Sequence, residues 1–133
     1  VPKVERKNIL GTIFSSSLFE NRAPEGYVTL STYIGGMRQP DHALLDDQEM
    51  DRLILEDLEA LLGVRGEPAF INRRVWKKAI PQYTVGYGKI LDRFNELEAA
   101  HSGLFFAGHY RNGISLGDSI LAGLDVAHRI NQQ

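Results

Sequence analysis

Four glycines, Gly103, Gly108, Gly113 and Gly117, punctuate the stretch GLFFAGHYRNGISLGDSILAGLDVAHRI, residues 103 to 130. A short apolar run, Leu104 to Ala107, leads into the glycine loop, and a helical pattern follows it. Ser115 is placed to cap that helix, with Asp118 three positions on as the partner in a capping box. The first amides of a helix lack partners within it, and the aligned peptide dipoles put partial positive charge there. A phosphate at that end would be held by backbone N–H groups without any lysine. Gly108 and Gly113 have no Cβ, so they would let the backbone approach such a ligand closely. Glycines that only turn the chain tightly would look the same, and the pattern leaves both readings open.

Other chemistry is thinner. GYGKIL, Gly86 to Leu91, begins like a dinucleotide fingerprint, but Leu91 stands where the third glycine belongs. It is not a phosphate-binding loop either, because Ile90 follows Lys89 where Ser or Thr is required. The histidines, His42, His101, His109 and His128, have no metal-type spacing. The carboxylates from Asp41 to Glu59 fall mainly on the solvent side of a helix. No catalytic residue and no metal ligand is nominated.

The elements that must position these residues follow from periodicity. Ile9 to Phe19 reads as a strand, NRAPEG (21 to 26) as a turn, and Tyr27 to Ile34 alternates two faces over eight residues. The two strands are expected to pair as a hairpin. Asp46 to Leu62 is the clearest helix, with Asp46 as its cap, Glu49 three residues later and Gly63 as its stop. Glu67 to Trp76 reads as a further strand, and residues 88 to 101 as a helix with Ile90, Leu91, Phe94 and Leu97 on one face. Leu104 to Ala107 reads as a buried strand. The expected class is α+β: a β-hairpin or mixed sheet with about three helices, in a single unit spanning 1–133.

The 133 residues suffice for about one domain. The 43% apolar and 24% charged content is ordinary for a globular chain, and a net charge of −2 argues against a nucleic-acid surface. The absence of cysteine removes disulfides and thiolate chemistry and is compatible with the cytoplasm. No run reaches the roughly 20 apolar residues of a membrane span, and the charged start has no signal-peptide centre. A start without Met that enters structure at once suggests a piece of a longer polypeptide.

GLFFAGHYRNGISLGDSILAG resembles the C-terminal flavin-binding segment of the protoporphyrinogen oxidase family, within the flavin-containing amine oxidase superfamily. ILGTIFSSSLFENRAPEGYVTLSTYIGG resembles the family's stretch crossing the substrate domain, and AIPQYTVGY its Ile-Pro-Gln-Tyr segment. The three lie in the family's order and cover most of the chain. The family carries two glycines in the loop in many members, and here Asn112 stands at the first.

The resemblance implies an oxidase that turns a porphyrinogen into a porphyrin for heme biosynthesis. FAD removes six electrons in three two-electron steps and oxygen reoxidises it. Some bacterial relatives act on coproporphyrinogen instead. The resemblance also implies that Gly113, Ile114 and Ser115 bind FAD through the backbone, that Gly108 ends the preceding strand, and that Trp76 lies near the flavin. Arg111 beside the loop could meet a flavin oxygen or a substrate propionate, and is expected instead to be a solvated loop residue. Residues 1–75 would belong to the substrate domain and 76–133 would supply the closing strand–loop–helix of the FAD-binding domain. The family's opening βαβ unit is missing from these residues, so they would form about the last third of the enzyme, inactive alone. Porphyrinogen and oxygen are the implied partners, a homo-oligomer is allowed, and the location would be cytoplasmic or peripheral to a membrane. The alternatives are a stand-alone α+β binding module and a related amine oxidase.

Overall fold

The computed structural model describes residues 1–132, and its contacts divide the chain into two compact units, Val1–Lys77 and Lys78–Gln133. Among the described residues they carry a two-stranded antiparallel sheet and four α-helices, an α+β composition.

In the first unit, β1 (Ile9–Phe14) pairs antiparallel with β2 (Leu30–Ile34), Thr12 opposite Thr32 and Phe14 opposite Leu30. The register breaks between Ile9 and Gly11, and the Thr12 and Thr32 hydroxyls meet at 3.0 Å. β1 is shorter than the eleven-residue run of β-forming residues suggests. At Ser15–Leu18 the chain makes a single helical turn, α1. Serine hydroxyls compete with the ladder there: Ser15 meets Ser31 at 2.7 Å, and Ser16 accepts the Thr29 amide at 3.0 Å.

Helix α2 (Asp47–Leu62) starts and stops where the local signals place it. The Asp46 carboxylate accepts the Glu49 amide at 2.9 Å, and Gly63 ends the helix at φ 69° with its amide on the Glu59 carbonyl. Only half of the capping box forms, because the Glu49 carboxylate is taken by Arg52 at 2.6 and 2.8 Å. The helix packs on β1 and buries Met50 and Leu58, each worth roughly 2 kcal/mol of apolar transfer, and Ile9 is buried with them. Asp57 is buried on the same helix.

The strand expected at Glu67 to Trp76 does not form; this stretch is irregular and exposed. Its β-forming residues find no partner strand among the described residues, while Arg73 pairs with Asp47 and Asp51 of α2.

The second unit contains α3 (Gly88–Ala100) and α4 (Leu116–Asn131). Between them, Leu104 to Ala107 is half-buried but joins no ladder, which corrects the strand expected there. Aromatic packing fixes it instead. Phe94 of α3 lies 4.8 Å from the Phe106 ring and meets Tyr110 edge-on at 5.5 Å. Ala122 is the buried residue of α4. Among the described residues no helix is long and apolar enough to cross a membrane.

Candidate functional site

The start of α4 is built locally. Ser115 Oγ accepts the Asp118 amide at 3.0 Å, while the Asp118 carboxylate accepts the Ser115 amide at 3.2 Å and the Ser115 hydroxyl at 2.7 Å. This reciprocal box takes two amides and leaves those of Leu116 and Gly117 unused by it. The Asp118 carboxylate also places negative charge against the dipole, so any anion arriving here competes with it. The amides that remain suit a hydrogen-bond acceptor of low charge better than a bare phosphate.

Gly113, just before the cap, has φ 131°, a conformation that L side chains rarely adopt. A Cβ there would stand 2.5 Å from the Asp118 carboxyl carbon. Gly108 shares that φ, and a Cβ on it would stand 3.1 Å from the Tyr110 ring. Both glycines are therefore required by the loop's own geometry. Gly113, Ile114 and Ser115 lie together at the head of α4, with Ile114 about half exposed. Trp76 belongs to the first unit, 63% exposed, with the Arg74 guanidinium 4.9 Å above its ring. No three His, Asp or Glu side chains gather in metal-binding fashion among the described residues.

Arg111 is not the solvated loop residue expected from the sequence. Its side chain is 12% exposed, and its guanidinium donates to Glu98 at 2.7 Å and to Asn95 at 2.6 Å. Glu98, 8% exposed, also accepts Arg129 at 2.7 Å and the Phe106 amide at 2.7 Å. Burial pushes its carboxyl up, but bonds from Arg129, the Phe106 amide and Arg111 outweigh that and hold it at about 2. The sequence did carry a signal for this hub. Glu98 follows Phe94 by four residues, which puts a carboxylate on the apolar face of α3. Tyr83 and Tyr87 lie in the AIPQYTVGY stretch that carries the resemblance, but their bonds to the same loop show only in the folded chain.

Residues 1–131 match the model of the family described as flavin containing amine oxidoreductase. The mitochondrial protoporphyrinogen oxidase of Nicotiana tabacum is 37% identical over 130 residues, covering 96% of this chain and 26% of the relative. Protoporphyrinogen oxidase 2, chloroplastic/mitochondrial, of Arabidopsis thaliana matches with the same identity and coverage. The coproporphyrinogen III oxidase of Bacillus subtilis (strain 168) is 28% identical over 113 residues, 84% of this chain and 24% of the relative. The chain thus spans about a quarter of the length of the curated relatives it matches, less than the last third expected.

A flavin-containing family implies FAD as cofactor. The head of α4 fits part of such a molecule: it offers the Leu116 and Gly117 amides as donors beside a Gly113 that carries no side chain. With the match running through residues 1–131 of 133, the chain belongs to the flavin containing amine oxidoreductase family.

Proposed function

We propose that the chain is the C-terminal part of an FAD-dependent oxidase that converts a porphyrinogen to a porphyrin in heme biosynthesis. The observation that carries this reading is the likeness to protoporphyrinogen oxidases along 96% of the chain. In this reading residues 1–75 are part of the substrate domain and residues 76–133 supply the closing strand–loop–helix of the FAD-binding domain. FAD, when bound, supplies the two-electron acceptor, and oxygen restores it.

The chain's own residues act by placement. Gly113, Ile114 and Ser115 present backbone to the cofactor, with Gly108 closing the segment before the loop. The Leu116 and Gly117 amides supply donors, and Ser115 holds Asp118 so that the helix start keeps its shape. Arg111 serves the fold through Glu98. Trp76 is assigned to the neighbourhood of the flavin.

The reading places the enzyme in the cytoplasm or at a membrane surface. Cell fractionation checks this, since two plant relatives carry organellar names. The test of function is the full-length enzyme purified and supplied separately with protoporphyrinogen and coproporphyrinogen, porphyrin fluorescence being followed under air. Fluorescence growing with one or both substrates, from a preparation with a bound-flavin absorption band, is the expected result. A full-length preparation that holds FAD yet turns over neither substrate would overturn it. Residues 1–133 alone are expected to be colourless and inactive, because a partial site does not offset the cost of immobilising a large cofactor. A yellow preparation of the chain alone contradicts that expectation.

A further inference from the structure

Tyr83, the tyrosine of Ile-Pro-Gln-Tyr, makes two bonds to the loop that leads into α4. Its hydroxyl donates to the His109 carbonyl at 2.7 Å and accepts the Gly113 amide at 3.1 Å. One oxygen thus ties together two points four residues apart. Its ring stacks on Tyr87 with centroids 4.8 Å apart, and the Tyr87 hydroxyl donates to the Tyr110 carbonyl.

The loop needs such support. Its backbone contributes the Arg111 amide on the Gly108 carbonyl at 3.0 Å, and no ladder runs along it. Glycine has more backbone freedom than any other residue type, so a bond to the Gly113 peptide removes more alternatives there than it would elsewhere. The Tyr83 hydroxyl bonds that amide directly.

We propose that Tyr83 is a positioning residue for the cofactor: by holding the Gly113 peptide it presets the head of α4 for FAD. It acts through Gly113, and the inference rests on the flavoenzyme reading given above. A loop held in its bound shape before the ligand arrives loses less entropy on binding, so the hydroxyl should show in affinity.

The test is Tyr83→Phe in the full-length enzyme, which keeps the ring and its stack on Tyr87. Loss of the hydroxyl's two neutral hydrogen bonds should weaken FAD binding by about 5- to 20-fold, read by titrating the apoprotein with FAD. The apoprotein should melt within about 2 °C of the parent, and the bound-flavin absorption band should shift. Unchanged affinity together with an unchanged band would overturn the inference. So would a fall in apoprotein melting temperature with the band unmoved, which marks a role in folding alone. A parent that holds FAD but spares every porphyrinogen removes the proposed substrate, while the Tyr83→Phe titration still decides this point.

Discussion

In each unit, among the described residues, a helix carboxylate largely shielded from solvent holds backbone, Asp57 in the first and the Glu98 side chain in the second, but the two do so under different conditions. In the first unit, Asp57 of α2 accepts the amides of Asn8 and Ile9 where β1 begins, with Lys7 at 3.7 Å as its cation. The strand it steadies already has a partner in β2. In the second unit, Glu98 of α3 accepts the Phe106 amide in a segment that joins no sheet, and it carries two arginines besides. Where a ladder exists, a buried carboxylate supplements it. Where none exists, the carboxylate and the aromatic rings take over its work, and more rests on one side chain.

Glu98→Ala tests that contrast most severely. It strands the Arg111 charge and leaves the Phe106 amide without an acceptor, so the second unit is expected to lose about 3 kcal/mol. Chemical denaturation, with amide exchange at Phe106 to localise the effect, measures it. A loss under about 1 kcal/mol would break the comparison.

The same residue gives the contrast a pH dependence. The carboxyl is held at about 2 in the fold against 4.5 ordinarily, so the stability it adds is fully present above 4.5. That stability drains away as pH falls from 4.5 toward 2. Glu98→Gln should remove this part of the acid sensitivity of the second unit. An identical acid profile for Gln and Glu would assign the sensitivity elsewhere.

Asp57→Ala comes next. It uncovers two amides at the start of β1, but the hairpin keeps its cross-strand bonds, and about 2 kcal/mol is expected, read by exchange at Ile9. A cost above that of Glu98→Ala would invert the comparison. Ser115→Ala is the smallest: loss of the cap should cost about 1 kcal/mol, confined to the first turn of α4 and visible as faster exchange of the Asp118 amide.

What was legible in the sequence is what is encoded within a few residues. Asp46 before α2, Gly63 after it and Ser115 with Asp118 each act across three or four positions, and each holds in the structure. The two misread strands have β-type composition, yet a strand exists only where another chain segment pairs with it. Glu67 to Trp76 and Leu104 to Ala107 found none among the described residues. Arg111 was misread for a related reason. Its partner Glu98 lies thirteen residues away on another element, beyond any local pattern.

The sequence alone determined the caps, the helices they bound, the glycine positions that the loop into α4 demands, and a resemblance specific enough to indicate flavin chemistry. Those are properties of short segments, set by backbone sterics and by side chains that reach only their near neighbours. Only the tertiary structure decided which apolar stretches become strands, that Arg111 is spent on Glu98, and that Tyr83 reaches Gly113 across thirty residues. Such pairings depend on bringing distant groups within about 3 Å of each other, and only packing supplies that proximity.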